Sequence, residues 1–195
     1  HELPLKQIQS LAGNEAHQGV AARVSLYPVL SLQELIAKNK PHLTKAFFLL
    51  IDHVVDPHNL GALIRTALCV NVDGVIIPKD RSATPSPVVS KISAGALEHI
   101  QLAQVTNMVY AISDLKKTGM WCIGLDQNGG KSLFESDLTG SVGLVIGGEE
   151  SGIRPLVKKN CDYLTYIPQK GTVSSLNASV AGGVAMYEAF RQRNK

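Results

Sequence analysis

The sequence predicts an α/β fold, a mainly parallel sheet with helices on both faces. Three observations carry that expectation. Runs such as Phe47–Ile51 and Val142–Ile146 contain no polar side chain, so both faces of each strand are buried, as in a sheet covered by helices on each side. Segments with apolar residues at helical spacing alternate with those runs along the chain. The composition also fits, because 45% hydrophobic and only 18% charged residues describe a packed domain rather than a disordered chain. Aromatics make up 5%, so the core must be mainly aliphatic.

The elements follow in order. Residues 1–30 are interrupted by Gly13, Gly19 and Pro28 and show no clear period. They read as a linker or the tail of a missing module, ahead of a domain spanning 31–195. His1 in place of Met fits a fragment or a processed chain. Ser31 and Glu34 form a capping-box pattern that opens a short helix. Strand Phe47–Ile51 precedes a helix over Leu60–Val70, with Leu60, Leu63, Ile64, Ala67 and Leu68 on helical spacing. Strand Gly74–Ile77, helix Pro87–Leu97 and strand Ile100–Val105 come next. Helix Asn107–Lys117 is ended by Gly119, and strands Trp121–Leu125 and Val142–Ile146 follow. Helix Ile153–Lys159, strand Tyr163–Ile167 and helix Ser175–Arg191 complete the chain. Ligands in such sheets bind beyond the carboxyl ends of the strands. Three loops therefore draw attention: Asp52–Asn59, Gly147–Gly152 and Pro168–Ser175. The Ser-, Thr- and Pro-containing loop Lys79–Pro87 reads as a lid or a solvated turn.

Several function classes are disfavoured. The longest apolar run, Ala46–Ile51, is far shorter than the roughly 20 residues that span a bilayer, so no membrane partner is expected. Cys69, Cys122 and Cys161 form no CxxC pair, and neither they nor the six histidines show zinc-site spacing. Reduced, buried thiols in a cytoplasmic protein are the expectation, with no metal. Gly130-Lys131-Ser132 resembles the end of a P-loop, but the glycine required five residues earlier is Leu125, leaving a polar turn after a strand. Gly147-Gly148-Glu149-Glu150-Ser151-Gly152 is not the dinucleotide-binding fingerprint. The net charge of +3 permits a nucleic-acid partner without demanding one.

Three segments carry the functional signal. They are Asp56-Pro57-His58-Asn59-Leu60-Gly61-Ala62-Leu63-Ile64-Arg65-Thr66-Ala67, then Leu144 through Ile153, then Ile167 through Ala181. In this order and spacing they resemble the three motifs of the SpoU (TrmH) branch of the SPOUT RNA methyltransferases, over about residues 45–192. Within that branch the chain most resembles the bacterial enzymes that methylate a guanosine ribose in 23S ribosomal RNA. His17-Gln18-Gly19-Val20 is similar to the linker those enzymes carry after a small RNA-binding domain.

The resemblance implies a carboxyl-terminal trefoil knot, S-adenosylmethionine bound in it, a homodimer, and methylation of a ribose 2′-hydroxyl. A transfer-RNA substrate and a non-catalytic RNA-binding dimer are the alternatives. By carry-over, Gly147, Gly148, Ile167, Ser175 and Leu176 contact the cofactor, and Asn59, Arg65, Glu149, Ser175 and Asn177 form the catalytic set. The residue chemistry fits those roles. Gly147 and Gly148 allow a close main-chain approach, Ile167 can pack on an adenine, and Gly171 with Ser174-Ser175-Leu176 can close the slot. A guanidinium is a poor base, so Arg65 suits a phosphate or a developing alkoxide better than proton abstraction, a role the resemblance leaves open; otherwise it is a surface arginine paired with a carboxylate. Asn59 either caps the following helix or orients the target nucleotide. Glu149 can accept a proton, or hold Arg65 or the ribose, whereas Glu150 reads as an exposed neighbour. Ser175 and Asn177 can also cap the last helix, whose amino terminus offers free N–H groups. Lys79, Arg81, Arg154, Lys158, Lys159 and Lys170 are candidate RNA phosphate contacts.

Overall fold

The computed structural model describes residues 2–13, 18–149, 151–172 and 175–194. Seven strands form one sheet: β1 (Phe47–Asp52), β2 (Gly74–Pro78), β3 (Leu102–Val105), β4 (Trp121–Leu125), β5 (Lys131–Ser132), β6 (Val142–Gly147) and β7 (Tyr163–Tyr166). Their order is β3-β2-β1-β6-β4-β7-β5, and every pairing is parallel. Parallel neighbours require crossover connections, which the helices supply. The helices are α1 (Leu5–Ala12), α2 (Leu32–Asn39), α3 (Pro57–Cys69), α4 (Pro87–Ile92), α5 (Met108–Lys117), α6 (Pro155–Asn160) and α7 (Ala178–Arg193), with α3 to α6 lying between strands.

The apolar runs are apolar throughout because the sheet is covered twice. Along β1, Phe47, Leu49 and Ile51 pack into one core with Leu60, Leu63 and Ile64 of α3 and Ala185, Met186 and Ala189 of α7. Phe48 and Leu50 point the other way, into a second core with Leu35 of α2, Ile112 and Leu115 of α5, and Val157 of α6. Burying a large aliphatic side chain stabilises by roughly 1.5–3 kcal/mol, so the two cores dominate the folding energy. The Ser31 box is present in full: the Ser31 hydroxyl accepts from the Glu34 N–H, and the Glu34 carboxylate accepts from the Ser31 N–H.

Most elements shift by a residue or two, and the larger departures from expectation have local reasons. Helix α3 starts three residues early, because Pro57 presets the first helical φ and the Asp56 carboxylate caps the turn through the His58 N–H at 2.9 Å. The helix expected over Pro87–Leu97 stops at Ile92, because Ala94 (φ 52°) and Gly95 (φ 83°) turn left-handed before a 3-10 turn at Ala96–Glu98. Helix α7 starts at Ala178 rather than Ser175, with Asn177 as its cap. Lys131–Ser132 forms β5, where the sequence suggested only a polar turn.

The expected remnant at 1–30 holds α1, which buries no residue and ends on left-handed Gly13. The main body already reaches back to Tyr27, whose hydroxyl donates to the Ile100 carbonyl, and to Leu30, which bridges to β3. His17, first of the linker tetrapeptide, lies outside the described residues. So do residues 173 and 174 of the segment the knot would involve.

Candidate active site

The carboxyl ends of β1, β6, β4 and β7 lie side by side, and the loops leaving them meet. A cavity of about 340 Å³ opens there. Gly147, Gly148, Ile167, Ser175 and Leu176, separated by up to 29 residues, all line it, as does Glu149. Its apolar wall comes from Ile146, Ile167, Leu176, Ala178 and Ala181.

The two glycines of the cavity lining are also required by the fold itself. A Cβ on Gly147 would sit 1.9 Å from the Gly152 carbonyl carbon and 2.1 Å from the Ile153 nitrogen. One on Gly148 would meet the His53 carbonyl oxygen at 2.3 Å. Their missing side chains let this loop fold on itself at Gly147 and pack against the backbone of the loop after β1 at Gly148, which shapes the cavity. His53 itself is left-handed (φ 63°). Its imidazole pKa lies below the usual value, first through burial and then through the charge of Arg154, with Asp52 opposing.

Beside the cavity, three motif residues join directly. Asn59 is buried in the first turn of α3, and its amide nitrogen donates to the Glu149 carboxylate. The same nitrogen also donates to Asp56 at 3.3 Å. Its amide oxygen accepts from the Asn177 amide at 3.0 Å. Asn59 is therefore not the helix cap; Asp56 is. Asn177 does both jobs, since its oxygen accepts from the Ser179 and Val180 N–H groups while its nitrogen reaches Asn59. Ser175 is exposed, lines the cavity and does not cap the helix. Glu150 and Ser174 lie outside the described residues.

Arg65 is not brought into this cluster. It is exposed on α3, about 9 Å along the axis from Asn59 and on another face, and it has no ion pair among the described residues. The carboxylate-paired surface arginine is thus not what the fold builds.

Two of the six expected phosphate contacts are already engaged. Asp52, fully buried at the end of β1, accepts from the Arg154 backbone N–H at 3.0 Å and from its guanidinium at 2.6 and 2.9 Å. Lys158 pairs with Asp126 inside the cavity. Lys79, Arg81, Lys159 and Lys170 are exposed.

Sequence reasoning misses Asp126, Gln127 and Asn128, all in the cavity wall, and places Lys158 on RNA rather than beside them. A signal is present: Asp126 to Asn128 leave the carboxyl end of a buried strand. Burial would raise the Asp126 pKa, but the Lys158 hydrogen bond, the Asn128 N–H and the Lys158 charge together hold it below its usual value.

An all-parallel sheet with a half-apolar cavity beyond its carboxyl ends, rimmed by an amide–carboxylate cluster, defines an α/β ligand-binding domain equipped to orient a polar group. The chain belongs to the SpoU rRNA Methylase family, which matches residues 46–187. It is 45% identical over 186 residues to the 23S rRNA (guanosine-2'-O-)-methyltransferase RlmB of Xanthomonas axonopodis pv. citri, covering 95% of this chain and 75% of that one. It is 40% identical over 192 residues to the putative TrmH family tRNA/rRNA methyltransferase YacO of Bacillus subtilis, covering 98% and 77%. Among solved structures it resembles the SpoU methyltransferase AviRb from Streptomyces viridochromogenes in complex with AdoMet, with TM-score 0.76 and 28% identity over 86% of this chain and 66% of that one.

Proposed function

We propose that this protein transfers a methyl group from S-adenosylmethionine to the ribose 2′-hydroxyl of a guanosine in 23S ribosomal RNA. The observation that carries the reading is the Asn177–Asn59–Glu149 cluster on the rim of the cavity. Relatives named for that reaction, alike over most of the chain, support it.

The cavity fits the methyl donor. Its volume lies within the range of small-molecule sites, about 300–1,000 Å³. Ile146, Ile167 and Leu176 form an apolar slot for an adenine, and Asp126, Lys158 and Glu149 add polar groups around it. Bound there, S-adenosylmethionine supplies an electrophilic methyl on sulfur. The protein's task is then to hold the hydroxyl in line and to receive its proton. Glu149 is the acceptor for that hydroxyl. Asn59 fixes the carboxylate, and Asn177 fixes Asn59, so the acceptor is oriented before RNA arrives. Ser175 contributes a hydroxyl to the cavity rim. Arg65 serves a phosphate or the developing alkoxide.

Arg65 is exposed and does not line its own cavity, which supports a complete site shared between the two copies of a homodimer. Helix α7 exposes Val180, Tyr187 and Phe190, and α3, which packs against it, exposes Leu68, apolar surface suited to a second copy. Exposed Lys79, Arg81, Lys159 and Lys170 supply phosphate contacts. The free thiols suit a reducing cytoplasm.

The test is transfer of labelled methyl to 23S ribosomal RNA and to transfer RNA in parallel, with the product nucleoside identified. Label in 2′-O-methylguanosine of 23S RNA is expected. Label confined to transfer RNA, or to a base, overturns the assignment.

A further inference from the structure

Asp126 is the one cavity carboxylate, among the described residues, that the Asn59–Glu149 cluster does not use. Its side chain is only 8% exposed, yet it borders the cavity. It is fixed on three sides: its backbone N–H donates to the Thr165 carbonyl at 2.9 Å, one carboxylate oxygen accepts from the Asn128 N–H at 3.0 Å, and the other pairs with Lys158. A carboxylate held this rigidly in a ligand cavity is a recognition group rather than a solvated charge.

Its place narrows what it recognises. Asp126 follows β4 and Asp52 ends β1, with β6 between them in the sheet. At about 4.8 Å per strand, Asp126 lies roughly 10 Å across the strand ends from β1, whose following helix carries Asn59. It lines the cavity together with Ile146, Ile167 and Leu176, the apolar slot for the donor's adenine, and so serves the donor. Its charge narrows the choice again. Lys158 already balances the carboxylate, so a second cation such as the donor's ammonium would place two positive charges on one negative. Neutral hydroxyl donors create no such excess, and each carboxylate oxygen has a lone pair left to accept one.

We propose that Asp126, held in place by Lys158, reads the ribose diol of the methyl donor and makes the cavity selective for an intact adenosine. The proposal rests on the S-adenosylmethionine reading above and adds the group that discriminates its sugar.

Calorimetry with the full chain tests it, using S-adenosylhomocysteine, its 2′,3′-dideoxy counterpart, and methylthioadenosine, which keeps the diol but lacks the amino-acid end. Removing the diol should weaken binding to the wild type by roughly ten- to a hundredfold, the range for hydrogen bonds to a charged group. Asp126→Ala should weaken S-adenosylhomocysteine and methylthioadenosine by the same factor while barely affecting the dideoxy ligand. Asp126→Asn, which keeps the size and the Asn128 contact, should fall between and retain the wild-type unfolding midpoint. A wild type that tolerates loss of the diol overturns the proposal. So does an Asp126→Ala that loses affinity for S-adenosylhomocysteine alone, since the acid would then read the amino-acid end. Equal binding by wild type and variants also overturns it and leaves the donor reading standing. A wild type that binds none of the three ligands overturns both.

Discussion

Asn59 and Glu149, ninety residues apart, share a hydrogen bond that joins the first turn of α3 to the loop after β6. The Asn59 orientation is determined by its partners: its nitrogen faces the carboxylates of Glu149 and Asp56, and its oxygen faces the Asn177 amide. An amide saturated in this way leaves Glu149 oriented but with acceptor capacity to spare. Glu149→Gln should reduce methyl transfer by about a hundredfold or more, the usual effect of losing a positioned proton acceptor. Affinity for S-adenosylhomocysteine should stay within a few-fold of wild type. Single-turnover rates and calorimetry on the same samples check this, and a rate near wild type would remove Glu149 from the mechanism.

The glycines make a paired prediction about stability. Gly147→Ala places a methyl inside the Gly152–Ile153 backbone, which cannot move without opening the loop. The expected cost exceeds the roughly 1–3 kcal/mol typical of overpacking, with loss of ligand binding. Gly183, in α7, has open space where an alanine methyl would stand, with nothing within 4 Å. Gly183→Ala should therefore be neutral or stabilising by about 0.5–1 kcal/mol through helix propensity. Urea midpoints of the two variants should move in opposite directions.

The ion pair between Asp52 and Arg154 predicts an effect on stability. Asp52 has no exposure, while the Arg154 side chain is 39% exposed. Removing the arginine leaves a buried carboxylate with its main charge partner gone. Since the guanidinium is partly solvated, Arg154→Ala should cost toward the lower end of the roughly 3–5 kcal/mol seen for broken buried pairs. Arg154→Lys should recover only part, because Lys lacks the forked geometry. A denaturation series that finds Arg154→Ala as stable as wild type would make the pair incidental.

How much of this is legible in the sequence depends on how local each signal is. The strands are legible, because a doubly covered sheet requires uninterrupted apolar runs such as Phe47–Ile51. The start of α3 is less so, because Asn59 and Asp56 are both good capping residues and only their partners show that Asp56 caps the helix. The break at Ala94 is not, since alanine gives no hint of a left-handed backbone. Asp126 hides in a segment that reads as a failed P-loop, although it leaves a buried strand at the ligand end of the sheet. The Asp52–Arg154 pair spans 102 residues and has no local trace at all.

The buried thiols give a pH prediction with a definite sign. Burial pushes Cys122 and Cys161 up to about 12 from an ordinary value of 9.0. The folded protein thus keeps two protons that the unfolded chain releases above about pH 9. Wherever the folded state binds more protons, stability falls as pH rises. The contribution of these thiols is therefore complete below pH 9 and is lost progressively between about 9 and 12. Unfolding midpoints measured in that range should decline, and Cys122→Ala with Cys161→Ala should flatten the decline. The same burial keeps both sulfurs as unreactive thiols near neutrality, because the thiolate is the nucleophile. Exposed Cys69 should then take up iodoacetamide in the native protein at pH 8 while the other two react only after denaturation. Rapid native labelling of Cys122 would mean that the core around β4 opens far more readily than its packing implies.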